Sequence, residues 1–378
     1  MEPVLKRGYT AWDRALLPQD EFGERVRAVQ AALREAGLGA LVVLGNAYEY
    51  ADFAYLAGSP TGGAVVVTPE GDPALITSSG GRELPFLSTL TWITAVTPSG
   101  GYGFGGMGKS LRALLEERGV PPGPIGAVGT HLLPAAAYSG LVESLAGWEP
   151  REFDAALRAL RARRRPREVA AVSTALGIAT AAAAAAERAF AGGASNARAL
   201  VEAERVARQH RARDFRALAN IASDDLRPYE GLSDDRRAPL ALWLAVEYQG
   251  YWAELAVTSP APPASEAARA VEAMIRAARA GGEARDVARA ALSALSPAGV
   301  ESALAYGLGN GIGLALGEAP TITPTSDETL VESALLSLRA LSRGAGTVSF
   351  ASAIVQVGPD GAARLTPRAL AGPSGGTA

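Results

Sequence analysis

The stretch Tyr306-Gly307-Leu308-Gly309-Asn310-Gly311-Ile312-Gly313-Leu314, followed by Glu318-Ala319-Pro320, decides the fold of this 378-residue chain. Alternating glycines alone are a weak signal, because a short glycine pattern occurs by chance in many loops. Three further segments precede the stretch in order, namely Arg165-Pro166-Arg167-Glu168-Val169, Phe215-Arg216-Ala217-Leu218-Ala219 and Glu247-Tyr248-Gln249-Gly250-Tyr251. Four ordered landmarks at suitable separations are much more specific than any one of them.

Together these landmarks resemble those of the creatinase, prolidase and aminopeptidase P family, which has the so-called pita-bread fold. The glycine-rich stretch is similar to the family pattern His-Gly-x-Gly-His-Gly-Ile-Gly-Leu-x-x-His-Glu-x-Pro. The segment at Arg165 resembles the opening of the catalytic domain, and the segment at Glu247 resembles a Tyr-x-Gly-Tyr hairpin. The segment at Phe215 is loosely similar to a family strand. The resemblance spans nearly the whole chain and implies a homodimer.

Length and element order predict two domains. A chain of 378 residues exceeds the usual size of a single domain. Strand and helix patterns alternate through residues 1–155, which predicts an α/β N-terminal domain. The resemblance implies an α+β pita-bread domain over residues 156–370, and a long helix is expected to begin at Pro166. Residues 371–378 are expected to form a flexible tail.

The composition limits both the chemistry and the partners. The chain has no cysteine, which excludes disulfides and cysteine-based metal sites. Its two histidines, His131 and His210, are expected to be structural or surface residues. The net charge is −3 and the basic run from Arg161 to Arg167 is short, so no nucleic-acid partner is expected. No signal peptide or membrane span is expected either, and the predicted location is the cytoplasm.

The resemblance also implies where metal ligands would lie. Active members of the family hold two divalent metals on two Asp, one His and two Glu, a donor set that suits Mn, Co or Zn. Counted from the landmarks, the corresponding positions in this chain are Trp243, Glu254, Asn310, Arg339 and Ala351. Only Glu254 keeps a carboxylate, and Arg339 places a cation where an anion is expected.

The positions of the family's catalytic histidines also differ. They correspond to Tyr229 and Gly317, neither of which can shuttle a proton as imidazole does near neutral pH. The sequence therefore predicts no catalytic residue, no metal ligand and no cofactor. It predicts a catalytically inactive Xaa-Pro peptidase-like protein, a pseudopeptidase.

Two interpretations of the altered pocket remain open. In the first, the scaffold has drifted, Trp243 fills the vacated space and Arg339 pairs with Glu254 or another carboxylate. In the second, the pocket is re-used to bind a peptide end or a small anionic or aromatic molecule. The candidate pocket residues are Tyr229, Trp243, Glu254, Tyr306, Asn310, Glu318 and Arg339.

Two alternatives to a non-catalytic role are also open. One is a metal-independent enzyme of altered chemistry that works through Tyr229, Glu254 or Arg339. The other is a residual Xaa-Pro dipeptidase or aminopeptidase. Relatives among eukaryotic chromatin factors use this fold for binding without peptidase chemistry, which supports the non-catalytic role by analogy.

One further motif is set aside. Residues Gly103 to Ser110 match the phosphate-loop pattern Gly-x-x-x-x-Gly-Lys-Ser. A phosphate loop abuts its strand, but the expected strand here ends several residues earlier, at Val96. No apolar run ending in Asp follows in the N-terminal domain to hold magnesium. We therefore expect a flexible glycine-rich loop.

Overall fold

The structure is a computed structural model that describes residues 10–46, 49–58, 62–77, 84–100, 106–221, 223–262, 265–344 and 347–367. The chain divides into two compact units, Met1–Ala162 and Arg163–Ala378. The division lies between the expected domain boundary, after residue 155, and the expected helix start at Pro166. The predicted tail at 371–378 and the first part of the glycine-rich loop, 103–105, lie outside the described residues.

The N-terminal unit contains a six-stranded mixed sheet in the order β4-β3-β2-β1-β5-β6. The pairs β1–β2 and β2–β3 are antiparallel, whereas β1–β5, β3–β4 and β5–β6 are parallel. The strands are β1 (Leu41–Gly45), β2 (Gly63–Val67), β3 (Ala74–Thr77), β4 (Ala95–Pro98), β5 (Gly123–Val128) and β6 (Trp148–Glu152). The helices are α1 (Gln19–Ala36), α2 (Ala51–Ala57), α3 (Met107–Glu117), α4 (Ala135–Ser144) and α5 (Asp154–Ala162).

The apolar side chains of the central strands place this sheet in the core of the N-terminal unit. All five residues of β1 and all five of β2 are buried, as expected for central strands with both faces covered. Leu111 and Leu115 of α3 pack into the same core as Val42 and Val66. The predicted α/β class of the N-terminal domain is confirmed.

The C-terminal unit combines two antiparallel sheets with five described helices. The sheets have the orders β7-β8-β9 and β11-β10-β12-β13-β14. The helices are α6 (Pro166–Ala191), α7 (Asn196–Gln209), α8 (Glu266–Ala277), α9 (Ala284–Leu292) and α10 (Pro297–Tyr306). The strands are β7 (Asp214–Ala219), β8 (Leu240–Tyr248), β9 (Tyr251–Ser259), β10 (Gly309–Gly311), β11 (Glu318–Thr321), β12 (Leu335–Gly344), β13 (Thr347–Val357) and β14 (Ala362–Arg364). The predicted α+β pita-bread class is confirmed.

Polar side chains join the two sheets between β9 and β13. The Thr258 hydroxyl accepts a bond from the Phe350 amide at 2.7 Å and donates to the Phe350 carbonyl at 3.2 Å. The Ser352 hydroxyl accepts a bond from the Ala256 amide at 2.7 Å. These side chains satisfy backbone groups that would otherwise be unpaired at the strand edges.

The landmark at Arg165 has a structural cause. Pro166 occupies the first turn of α6, where its missing N–H costs nothing. The buried carboxylate of Glu168 accepts a bond from the Arg165 amide at 3.1 Å and another from the Tyr251 hydroxyl at 3.2 Å. The landmark therefore fixes the start of α6 against the β8–β9 hairpin.

Helix α6 is long and apolar enough to cross a membrane by length and composition alone. However, 56% of its most apolar window is buried inside the protein. It packs against α7, β8 and β9. The burial is that of a core helix, whose apolar side chains serve the interior of the C-terminal unit.

The alternating glycines of the first landmark also have a structural cause. A Cβ atom at Gly309, where φ is +150°, would overlap the Ser337 carbonyl of β12. A Cβ atom at Gly311 would overlap the Ala319 carbonyl of β11. Glycine thus lets β10 lie close to both neighbouring strands, and it positions Asn310 between them.

Candidate functional site

A cavity of about 370 Å³ opens within the C-terminal unit. It combines a largely apolar wall with a small number of charged and amide groups, as binding sites for small molecules do. In the described part of the chain, the residues lining it are Arg216, Leu218, Leu226, Trp243, Glu254, Tyr306, Asn310, Leu316, Gly317, Arg339 and Phe350. Trp243 forms part of the wall and does not fill the space.

Strand register brings the residues of the first sheet to one face. Trp243 of β8 pairs with Ala256, and Ala245 pairs with Glu254 of β9, so Trp243 and Glu254 are diagonal neighbours. Strand β7 adds Leu218 opposite Trp243 and Arg216 opposite Ala245. Period-two alternation along each strand therefore points all four lining side chains the same way.

The second sheet contributes from the strands β10, β12 and β13. Ser337 and Arg339 are two residues apart on β12, and Asn310 of β10 pairs with Ser337. Ser352 of β13 pairs with Arg339. These side chains share a face, and this face meets Glu254 across the unit.

The Glu254 carboxylate is at the centre of the site. It is 2% exposed and accepts three hydrogen bonds. The donors are Ser337 Oγ at 2.5 Å, Arg339 Nη1 at 2.5 Å and Trp243 Nε1 at 2.9 Å. A buried carboxylate requires such compensation, because removing an ion from water costs on the order of several kcal/mol.

Two acceptors hold the guanidinium of Arg339 through the same nitrogen, Nη1. Its Nη1 also donates to Asn310 Oδ1 at 3.0 Å. The Asn310 amide in turn donates from Nδ2 to the Gly311 carbonyl at 2.7 Å and to the Leu316 carbonyl at 3.0 Å. The guanidinium therefore has one orientation, and the amide group of Asn310 is already used.

Tyr306 closes another part of the wall. Its hydroxyl accepts bonds from the Leu226 amide at 3.1 Å and from Arg343 Nη2 at 2.8 Å. Its ring meets the Phe350 ring edge-on, with centroids 6.5 Å apart. The two rings and Leu226 give the cavity its apolar surface.

The residues present do not fit the pair of metals that the resemblance implies. Two adjacent divalent cations need bridging carboxylates to offset their repulsion. Among the described lining residues, Glu254 supplies the one carboxylate, and Arg339 Nη1 lies 2.5 Å from one of its oxygens. Across the ranges that the structure describes, no group of three or more His, Cys, Asp or Glu side chains is placed to hold a metal ion.

Neither histidine lines this cavity. His131 lies in the N-terminal unit, where its Nε2 is 3.5 Å from a Glu49 oxygen and its ring is largely exposed. His210 caps the C-terminal end of α7. Neither histidine is a hydrogen-bond partner of Glu254.

Three of the predicted site positions require correction. Ala351 pairs with Ala340 and lies on the opposite face of β13, where it packs against the alanine-rich core beneath α8 and α9. The residue that faces Arg339 is its neighbour Ser352. The error has a simple physical reason, because a shift of one residue in a strand reverses the face.

Tyr229 and Glu318 are the other two corrections, since neither lines the cavity. Tyr229 is 45% exposed, in the segment between β7 and β8. The Glu318 carboxylate turns to Arg164 and also accepts a bond from the Ala315 amide at 2.8 Å. Glu318, the first residue of β11, therefore forms a largely buried ion pair with Arg164.

Besides the apolar lining residues Leu218, Leu226 and Leu316, three further contributors to the site are absent from the sequence-based prediction, namely Arg216, Ser337 and Phe350. Arg216 lies in the segment at Phe215, whose resemblance to the family strand is loose, and its side chain lines the cavity from the observed strand β7 (Asp214–Ala219). Ser337 could have been found from its spacing of two residues from Arg339. Phe350 could have been found in the same way, since it lies two residues before Ser352 on the same strand.

Comparisons with known families agree with this architecture. Residues 170–364 match metallopeptidase family M24. Residues 25–163 match the creatinase/prolidase N-terminal domain. The chain belongs to metallopeptidase family M24. The family predicted from the landmarks is confirmed, and the protein is Xaa-Pro peptidase-like.

Solved structures of other proteins share the fold at low identity. The prolidase from Pyrococcus horikoshii OT3 is 17% identical, with a TM-score of 0.72 over 91% of this chain and 98% of that one. Dipeptidase PepE from Mycobacterium ulcerans is 22% identical, with a TM-score of 0.68 over 96% and 98%. The N-terminal domain of FACT complex subunit SPT16 from Cicer arietinum is 16% identical, with a TM-score of 0.66 over 92% and 96%. No curated protein matches the chain.

Proposed function

We propose that this protein is a non-catalytic member of the M24 family, a pseudopeptidase that binds a ligand in the cavity and does not hydrolyse Xaa-Pro peptides. One observation carries the proposal. The only carboxylate in the described wall of the cavity, Glu254, accepts three protein donors, and one of them is the cationic Arg339.

The chemistry of hydrolysis supports the same view. The family's reaction needs a water activated by metal and a group that shuttles its proton. Trp243, Asn310 and Arg339 stand at expected ligand positions, and none of them is an anion. A divalent cation at Glu254 would also have to displace the guanidinium of Arg339, which lies 2.5 Å from the carboxylate.

The cavity itself supports a binding role. About 370 Å³ of open space next to a fixed guanidinium suits a small ligand or the end of a peptide. The fold is compatible with such a role, because the neighbour from Cicer arietinum is a subunit of a complex. The homodimer and the cytoplasmic location stay predictions.

A residual Xaa-Pro peptidase is the second candidate. Membership of the family favours it, as do the prolidase and dipeptidase named among the structural neighbours. A metal-free hydrolase is less well supported, because Tyr229 lies outside the cavity wall and Glu254 is bound to Arg339. Acid–base catalysis needs one group that donates a proton and another that accepts it. The described wall contains one carboxylate, Glu254, and no second carboxylate or histidine to take the other role.

Metal content and peptide cleavage distinguish the candidates. The purified protein is supplied with Mn, Co or Zn, dialysed and analysed for metal, and then incubated with an Ala-Pro dipeptide. The prolidase from Pyrococcus horikoshii serves as the positive control in the same buffers. We expect no stoichiometric metal and no cleavage. About two metals per chain together with turnover of the dipeptide would establish the second candidate.

A further inference from the structure

We propose that the ligand of this cavity is a small apolar molecule, or a chain end, that carries one carboxylate and no free amine, and that Arg339 and Arg216 bind the carboxylate. This inference rests on the proposed function, because it requires that Arg339 holds the place of the metals.

Arg339 has hydrogen-bond donors that the described protein does not use. Its hydrogen bonds to the described residues all leave from Nη1, to Glu254 and to Asn310. The side chain lines the cavity and is 17% exposed. Its Nε and Nη2 groups therefore remain for an acceptor that the described protein does not supply. A fixed guanidinium with free donors is a preorganised partner for a carboxylate.

Arg216, on the edge strand β7, provides a second guanidinium. Its guanidinium carbon lies 4.7 Å from the centre of the Trp252 ring, which supports the side chain. Its Nη2 is 3.5 Å from an Asp214 oxygen, at the limit of a hydrogen bond. Arg216 is 47% exposed and reaches the cavity wall. It thus offers a second cation that a ligand can approach.

The charged residues of the cavity wall favour an anionic ligand. Among the described lining residues, two arginines face one carboxylate, and that carboxylate is neutralised by Arg339. The wall itself therefore keeps one formal positive charge, on Arg216, which the Asp214 carboxylate outside the wall offsets only in part from 3.5 Å. A ligand with one negative charge restores neutrality, and a cationic ligand would add repulsion in a partly desolvated space.

The described wall has no free anionic acceptor for the ammonium group of a dipeptide. An ammonium group needs an acceptor, and Glu254 is the one anionic acceptor in the described wall. Ser337, Arg339 and Trp243 already donate to it. A zwitterion such as Ala-Pro would place its ammonium near Arg339 without compensation.

The apolar part of the ligand follows from the rest of the wall. Leu218, Leu226, Tyr306 and Phe350 present aliphatic and aromatic surface. A volume of about 370 Å³ is near the lower end of the range for small-molecule sites. A single ring or a short branched chain attached to the carboxylate is the class of ligand that fits.

Titration calorimetry with matched probes tests this inference. The probes are phenylacetate, its neutral analogue phenylacetamide, the zwitterion phenylalanine and the dipeptide Ala-Pro. We expect phenylacetate to bind at least about tenfold more tightly than the other three, the difference that one charge-assisted contact provides. N-acetylphenylalanine distinguishes a free acid from a peptide C-terminus, because tighter binding of this probe than of phenylacetate identifies the chain end as the source.

Two variants locate the contact. Arg216→Gln removes the exposed cation and should weaken phenylacetate by about three- to tenfold while leaving phenylacetamide unchanged. Arg339→Lys keeps a cation for Glu254 but loses the fork of donors, and it should also weaken the acid selectively. Circular dichroism and a thermal melt check that both variants fold.

Three results would overturn the inference: equal binding of acid and amide, preferred binding of phenylalanine or Ala-Pro, or no binding of any probe at about 1 mM. Each of these leaves the proposed absence of metallopeptidase chemistry standing. That proposal fails separately, through metal content and dipeptide cleavage.

Discussion

Two buried arginine–glutamate pairs have their glutamates on the neighbouring strands β8 and β9 and differ in their surroundings. Glu247 lies next to the last residue of β8 and pairs with Arg213, and it also accepts a bond from the Gly250 amide at 2.5 Å. Glu254 lies on β9 and pairs with Arg339 at 2.5 Å. The first pair closes a turn and is not part of the cavity wall, whereas the second forms part of that wall.

The difference shows what a buried ion pair can do beyond compensating its own burial. The fully buried Glu247 holds the tight turn at Gln249 and Gly250, whose φ values are +53° and +86°. Burial raises the pKa of Glu247, and the Arg213 charge and the Gly250 amide oppose that rise. Around Glu254 the same pairing leaves donors of Arg339 directed at open space. The surroundings of the pair therefore decide whether it is structural or available to a ligand.

The largest effect is expected from converting the Glu254 region back into an acidic site. The set Trp243→Asp, Glu254→Asp, Asn310→His, Arg339→Glu and Ser352→Glu should create Mn²⁺ binding, because it supplies carboxylates on one face. Replacing Ser352→Glu by Ala351→Glu is the matched control, since Ala351 faces the helices. A calorimetric titration with Mn²⁺ should show at least about tenfold weaker binding for the control, as even an outer partner is worth about 10- to 100-fold. Equal binding would mean that the strand register is different.

Removing each arginine tests the comparison through stability. Arg213→Met should lower the free energy of unfolding by about 3–5 kcal/mol, because it leaves Glu247 buried without a counter-charge. Arg339→Met should cost less, about 1–3 kcal/mol, because Trp243 and Ser337 still donate to Glu254 and water enters the cavity. Urea denaturation monitored by circular dichroism measures both. A loss from Arg339→Met as large as that from Arg213→Met would contradict the distinction.

The pH dependence of Arg213→Met sharpens the same point. A carboxyl whose folded-state pKa is raised contributes stability that is present at low pH and lost as the pH rises through the folded value. Removing Arg213 takes away the charge that opposes the rise in the pKa of Glu247. The deficit relative to the wild type should therefore shrink as the pH is lowered from about 7 to about 5. A deficit that grows on acidification would show that Glu247 is not the group left uncompensated.

The sequence predicted the polar core of the site but not its exact membership. Trp243, Glu254, Asn310 and Arg339 were found by distance from the landmarks, because glycines and turns fix the register of the strands that carry them. Ala351 lies one residue from Ser352, which faces Arg339, and a count along a strand that is off by one residue reverses the face. Tyr229 lies in an irregular segment, where spacing does not determine side-chain direction.

Parts of the fold were missed for similar reasons. Helix α10 was not predicted, although Ser296 caps it and Pro297 occupies its first turn. Its weak amphipathic pattern hid it, and this helix positions Tyr306 at its end. The pairing of β9 with β13 through Thr258 could not be predicted, because contacts between strands far apart in sequence have no local signal.

A smaller effect is expected from Trp243. The substitution Trp243→Phe removes the Nε1 donor at 2.9 Å from Glu254 and keeps an aromatic wall. The free energy of unfolding should fall by about 1 kcal/mol, the usual contribution of one hydrogen bond, or somewhat more because the acceptor is charged. An unchanged stability in Trp243→Phe would mean that water replaces the indole donor.

The smallest effect concerns Glu266, a carboxylate held without a buried arginine. Hydrogen bonds from Ser342 and then Ser296 lower the pKa of Glu266. Its stabilising contribution is therefore present above the ordinary pKa of the group and lost as the pH falls through the lowered value. Glu266→Gln should flatten the acid limb of the stability profile slightly between about pH 5 and about pH 3. A steeper acid limb in the variant would contradict this assignment.

The central claim is that Arg339 and Glu254 stand where the family's metals would be bound. Titration of the unmodified protein with Mn²⁺, followed by the electron paramagnetic resonance signal of the free ion, tests it most directly. The account predicts that the free-ion signal rises from the first addition as it does in buffer alone. Loss of the signal for about two equivalents of Mn²⁺ per chain would contradict it.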